Sequence, residues 1–337
     1  MTDIPYGYEK ISDLCRSIFG MYKLKYKVLD NFDFGKIDAF HINCESIINA
    51  YKKYYSSNPE LADTDLTYTI TSSIINMVAH YTHYFAKRNM KPTIYLYMVS
   101  PEYVKDLKNA RSLVSIICRY IPKTYCIVTP YDYGHIYIDY FCNKHKSNLV
   151  LTKNVIDLLL VSDNVSVIKS NKDNSVYYNS NNLYSNYLKR EYSGKLNCKL
   201  LPIVFSFTAP GKHMTKIKKY GPSKVIKLLD KALNENLIVN SSYNNMKHFL
   251  QDIKPLYEPD KEDMDKLISN FKTIDINYLE KNLMTKGAKE RLDDCIVDKF
   301  ANSDLAELNI KYFTGFNSLM LDYLFEGRQS NTRHIKW

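Results

Sequence analysis

Apolar positions along the chain fall into two patterns. Short unbroken or alternating runs bounded by turn residues predict buried strands, whereas apolar residues three and four apart predict helices. The first pattern appears in "KIDAFHI" (36–42), "PTIYLYMV" (92–99), "TYCIVTP" (124–130), "NLVLTK" (148–153) and "NVSVIKS" (164–170). The second appears in "CESIINAYKKYY" (44–55), through Ile47, Ile48, Tyr51 and Tyr55. It recurs in "YTITSSIINMVAHYTHYFAK" (68–87), through Ile74, Val78, Tyr81 and Phe85. Val104, Leu107, Leu113 and Ile117 predict a further helix, and "GHIYIDYFCNKH" (134–145) another. "SSNPELADTD" (56–65) is a loop. "LPIVFSFT" (201–208) is apolar almost throughout and reads as a strand-like run, and from residue 223 onward the pattern is nearly all helical.

Strands alternating with helices predict an α/β fold: a central parallel sheet flanked by helices, followed by a largely helical C-terminal part. Any site is then expected along the edge where the strands end. The expected division is an N-terminal arm (1–33), an α/β domain (34–200), a helix-turn-helix-like element (201–258) and a helical extension (259–337), with Pro255 and Pro259 marking the last boundary.

Composition narrows the classes. A chain of 337 residues can bury a large core. No run of 18 apolar residues predicts a membrane span, and "MTDIPYGYEK" lacks the order of a secretory signal. A cytoplasmic protein is expected, in the host cytoplasm if viral; 30 tyrosines with abundant Lys, Asn and Ile suit the AT-rich coding of a virus or low-GC bacterium. The 7 cysteines form no CxxC pair and several sit in apolar runs, which predicts buried reduced thiols. His80 and His83, flanked by tyrosines without a nearby carboxylate, read as a packed helical face.

Charge is localised. The formal net charge is +10, yet residues 144–231 alone hold sixteen Lys or Arg against five acids. The remainder is close to neutral, so the positive field belongs to one region and favours a polyanion. Within it, "GKHMTKIKKYGPSKVIKLL" (211–229) holds six lysines and no acid. Gly221 permits a tight turn, Pro222 suits a first helical position, and Ser223 offers a hydroxyl. A helix N-terminus leaves outward N–H groups with partial positive charge, which hold phosphate. The expected nucleic-acid-binding residues are Lys212, Lys216, Lys218, Lys219, Gly221, Ser223 and Lys224, contacting backbone without reading sequence.

In its order of elements the stretch 34–235 resembles the flap-endonuclease-like 5′ nucleases of the PIN-like superfamily. The segments that carry the resemblance are "KIDAFHI", "PTIYLYMVS", "YDYGHIYI", "LVLTKNVIDLLL" and, most specifically, "KKYGPSKVIKLL". It implies a PIN-like sheet, a helix–turn–helix-like grip on a DNA backbone, and a nest of carboxylates holding divalent metal for phosphodiester cleavage. Asp38 stands where the resemblance implies the first aspartate, and Asp132 where it implies the first acid of a later cluster. Other acidic positions of the pattern are held by Ser100, Gly134, His135, Asn154 and Ile156, with Asp157 one residue out of register, and by Gly211, Lys212 and His213 in the last motif.

The expectation is a degenerate flap-endonuclease-like protein that binds single-stranded or branched DNA, accessory to phage or viral replication or packaging. If cleavage is retained, Asp38 and Asp132 are the candidate catalytic and metal residues, with Mg or Mn as cofactor. A third reading is a virion or complex protein reusing the fold, with a protein partner on the C-terminal helices.

Overall fold

The computed structural model describes residues 32, 34–45, 66–99, 114, 118, 121, 123–129, 133–170 and 175–297. Six strands form one sheet: β1 (Ala39–Asn43), β2 (Thr93–Val99), β3 (Thr124–Thr129), β4 (Asn148–Thr152), β5 (Val165–Ser170) and β6 (Ser175–Tyr178), in the order β3-β2-β1-β4-β5-β6. Nine described helices accompany it: α1 (Leu66–Ala86), α2 (Gly134–Cys142), α3 (Leu183–Leu188), α4 (Leu201–Thr208), α5 (Pro222–Asn234), α6 (Met246–Asp252), α7 (Lys261–Ile274), α8 (Ile276–Leu283) and α9 (Lys286–Val297). The expected α/β class with a helical second half is what the chain adopts. Helices over 44–55 and around Val104–Ile117 were also expected; apart from Cys44, Glu45 and the buried Val114, those stretches lie outside the described residues. No described helix is long and apolar enough to cross a membrane.

The chain divides into two compact units, residues 1–134 with 290–337, and residues 135–289. In the first, β1 pairs parallel with β2 and β2 parallel with β3. Every residue of β1 is buried, as a central parallel strand requires. One side of this sheet carries an aromatic row in register. His41 stacks on Tyr95 (5.1 Å between ring centroids), Tyr95 on Tyr125 (5.6 Å), and His41 Nδ1 lies 2.8 Å from the Tyr97 hydroxyl. Against Phe40 pack Tyr81 and Phe85 of α1, at 4.7 and 5.0 Å. Those two α1 residues are among the predicted apolar positions, and Ile74 and Val78 are buried with them.

In the second unit β4 pairs parallel with β5, while β6 returns antiparallel beside it. β6 lies in "NKDNSVYYNSNN", whose polar residues mask a four-residue edge strand. The run 201–208 is a correction. It forms the helix α4 rather than a strand, because Pro202 sits in its first turn and almost every side chain is buried by neighbouring helices. A short run apolar on all sides carries no period by which to separate the two structures. α4 packs against α5 and α7 and is the apolar spine of this unit.

Candidate nucleic-acid interface and the sheet edge

Between α4 and α5 runs a thirteen-residue loop, 209–221, which positions the predicted lysines. α4 ends at Ala209 in the left-handed region (φ 47°), and the loop returns at once over the helix. Ile217 is its buried anchor, and its N–H donates to the Phe207 carbonyl at 3.1 Å. A second anchor is Asn270 of α7, itself buried. Its amide donates to the carbonyls of Ser206 (2.7 Å) and Thr215 (2.8 Å) and accepts from the Thr215 N–H (2.9 Å). With the backbone fastened at 215 and 217, Lys212, Lys216, Lys218 and Lys219 are all exposed. Nothing in the sequence marked Asn270, which lies 55 residues from the loop it ties.

The turn into α5 differs from expectation in one respect. Gly221 is extended (φ −87°, ψ 170°), and a Cβ there would meet nothing within 4 Å. The left-handed residue is Lys219, at φ 67°. Gly221 therefore matters as an uncrowded N-cap and not for its backbone freedom. It offers no side chain to cap the helix; Pro222 follows at the first helical position, and the first turn holds no acid. Lys224 N–H and Val225 N–H both turn back to the Gly221 carbonyl, at 3.0 and 3.1 Å. Ser223 and Lys224 are exposed. Lys224 Nζ sits 4.2 Å above the Tyr220 ring, and Tyr220 leans on Phe207 and Tyr257 at 5.4 and 4.9 Å. This aromatic base fixes the helix mouth and one cation above it. Exposed lysines around an uncapped N-terminus form an anion-attracting surface without any group that performs chemistry.

The sheet edge has a different character. Asp38 precedes the first residue of β1, and its carbonyl accepts from Thr93 N–H at 2.9 Å. It therefore lies at the strand's N-terminal end, away from the edge at which parallel sheets gather their sites. β1 ends instead at Asn43, a neutral amide whose oxygen accepts the Glu45 N–H at 3.0 Å. A Cβ added to Gly134 would stand 3.7 Å from Asn43 Nδ2 and 3.9 Å from the buried Thr129 hydroxyl. The strand predicted from the sequence ends at Ile42, one residue short of Asn43, to which the burial runs. Asp132, like Ser100, lies outside the described residues.

At the end of β4 the polar side chains serve the turn. Thr152 Oγ1 accepts from Asn154 N–H (2.9 Å), and Asn154 Oδ1 accepts from Ile156 N–H (3.1 Å). These bonds lead into a 3-10 turn, Ile156–Leu160, in which Asp157 is fully buried. Gly211 approaches this turn, since a Cβ on it would lie 3.5 Å from Ile156 Cδ1 and 3.0 Å from Met214 Sδ. The contact is apolar, and the next residues are Lys212 and His213. His135, in the first turn of α2, is 2 % exposed, and neither ring nitrogen has a hydrogen-bond partner among the described residues. Burial pushes its pKa down to about 4, so the ring is neutral near pH 7.

These residues do not fit a pair of divalent cations. Two of the positions are amides already engaged in turns, one is an isoleucine without a lone pair, one is a lysine, and one is an enclosed imidazole. Magnesium and manganese demand several hard oxygen donors with net negative charge. Among the described residues no group of three or more His, Cys, Asp or Glu side chains is placed to hold a metal ion.

The chain shares its fold with solved structures. It is similar to a phage 5′ nuclease. The zinc-bound 5′-exonuclease of bacteriophage T5 shares 9% identity, with a TM-score of 0.46, covering 78% of this chain and 99% of that one. The T5 D15 protein co-crystallised with metal ions shares 10%, at a TM-score of 0.47, covering 78% of this chain and 100% of that one. The bacteriophage T5 flap endonuclease in a pseudo-enzyme–product complex with DNA and metal ions shares 10%, at 0.39, covering 85% and 99%. No family model matches the chain, and no curated protein matches it.

Proposed function

We propose that this chain is a catalytically degenerate, flap-endonuclease-like protein that grips DNA through its phosphate backbone, as an accessory to viral or phage DNA replication or packaging. The observation that carries the reading is the contrast between two surfaces. The loop 209–221 and the mouth of α5 present Lys216, Lys218, Lys219, Ser223 and Lys224 to solvent, with Lys212 beside them and no acid in the first helical turn. The described strand ends offer amides, a threonine and a buried imidazole, with Glu45 and Asp157 the buried carboxylates near them, and no group of three or more ion-holding side chains among the described residues. Lysines at a helix N-terminus attract phosphate oxygens and hold them without reading bases. With no carboxylate nest among the described residues, the bound backbone stays intact on this reading.

The test has two arms. In a titration of labelled flap and single-stranded DNA, Lys218→Glu/Lys219→Glu/Lys224→Glu is expected to lose at least tenfold in affinity. With magnesium or manganese, the wild-type chain is expected to leave the flap substrate uncut. Cleavage that disappears in Asp132→Ala or Asp157→Ala would establish an active metal-dependent nuclease. An unchanged affinity in the triple variant would favour a structural role through protein contacts.

A further inference from the structure

The outward face of α5 carries more positive charge than one phosphate at its N-terminus would use. Lys224, Lys227 and Lys231, three and four residues apart, are all exposed and form one stripe. The stripe is opposite the buried Val225, Ile226, Leu229 and Ala232. Among the described residues, neighbouring acids leave it largely uncompensated. Asp230, within α5, lies on the flank, and its carboxylate accepts the Tyr192 hydroxyl at 2.6 Å. Glu235, past the helix end, makes an exposed 3.7 Å pair with Lys231. Like charges at these spacings repel, and Lys224 in the first turn opposes the helix dipole. α7, in the same chain, has the favourable arrangement. Asp260 caps it by accepting the Asp263 N–H at 2.8 Å, Glu262 and Asp263 occupy its first turn, and Lys272 its last.

We infer that this stripe is a track for a nucleic-acid backbone, along which phosphates seated beside Ser223 continue past Lys224, Lys227 and Lys231. The inference rests on the DNA-binding reading above and lengthens its site from a point to a line. Lys224 to Lys231 spans about 10 Å along the helix axis, room for roughly two or three phosphates of one strand. A membrane surface is a poor occupant, because an interfacial helix must insert its apolar face and that of α5 is already buried in the core. An acidic protein is also a poor one. Protein interfaces centre on apolar anchors, and the exposed large hydrophobics among the described residues, Val128, Val239, Tyr278 and Leu283, all lie outside α5.

The experiment measures fluorescence anisotropy with single-stranded dT oligonucleotides and a duplex of equal length, from low to high potassium chloride. Lys227→Gln/Lys231→Gln is compared with the wild type and with the loop variant Lys218→Glu/Lys219→Glu/Lys224→Glu. Circular dichroism and melting check that each folds. The double glutamine variant is expected to bind single strands roughly tenfold more weakly at physiological salt, with the slope of log K on log salt shallower by about 1.4. Wild-type affinity and slope in that variant, with binding lost in the loop variant, would confine the site to the helix mouth and overturn the track alone. Unchanged binding in both would remove the DNA-binding reading and the track together. Loss of binding to phosphatidylserine vesicles with oligonucleotide binding intact would overturn the track in favour of a lipid surface.

Discussion

His135 shows what a single position can disclose about the sheet edge. An enclosed imidazole with neither nitrogen partnered among the described residues costs stability at every pH, because its polar atoms have left water without replacement. It adds a pH dependence with a definite sign. The folded ring titrates at about 4 and the unfolded ring at its ordinary 6.5. Above pH 6.5 neither state binds the proton, and the ring contributes no pH dependence. As pH falls below 6.5 the unfolded chain takes up a proton that the folded chain refuses, so stability declines until about pH 4, by a total of about 3 kcal/mol. His135→Leu is expected to flatten that decline and to leave stability at pH 8 equal or higher. Denaturant unfolding at several pH values measures both; an acid-side slope identical to wild type would show that the ring is solvated. Asn270 teaches a complementary lesson about legibility. Its three bonds to the 206–215 backbone determine where the lysines stand, yet an asparagine inside an amphipathic helix carries no local sign of a partner 55 residues earlier.

Among the elements, α5 and α7 separate stability from function. α7 has an acidic cap and first turn; α5 has an uncapped start, a proline and lysines. If the α5 mouth is kept for an anionic ligand, an acid placed there should help the helix and harm the binding. Ser223→Glu puts a carboxylate in the first turn, four residues before Lys227, where both the dipole and the ion pair favour it. The variant is expected to be more stable by about 0.3–1 kcal/mol and to bind DNA more weakly. Thermal melting and anisotropy read the two effects, and a variant that gained stability without losing affinity would separate the helix mouth from the ligand. Elements were also where sequence and structure agreed best. β2, β3, β4 and β5 fall within a residue or two of the predicted runs because buried parallel strands are apolar on both faces. β1 is Ala39–Asn43 against an expected 36–42, and that shift puts Asp38 at the wrong end and Asn43 at the right one. α4 escaped because an eight-residue, mostly apolar run with six buried side chains has no period. β6 escaped because a short antiparallel edge strand needs little apolar content.

At the scale of the whole molecule, the excess of eleven positive charges between residues 144 and 231 falls within the stretch that holds β4 to β6, the 209–221 loop and most of α5. A catalytic two-metal edge in such a field would need a concentration of carboxylates to draw in its cations. Two of the segment's five acids are otherwise placed: Asp230 binds Tyr192, and Asp157 is buried inside a 3-10 turn. A nuclease edge that holds metal is stabilised by it, by about 2.7 kcal/mol when the ion is at a hundred times its dissociation constant. That shifts the melting temperature by several degrees. Melting this chain in millimolar manganese and again in excess chelator is therefore expected to give the same midpoint, in contrast to the large salt sensitivity expected of its DNA complex. A metal-induced rise lost in Asp132→Asn would place an ion-binding carboxylate group next to β3 and restore the active-nuclease reading. A rise lost instead in Asp139→Asn would have a different origin. Burial and the nearby Glu280 push the Asp139 carboxyl up to about 6, and Asn143 supplies the hydrogen bond that partly holds it ionised. A cation there would relieve crowded charge on α2 and α8 without bearing on phosphodiester chemistry.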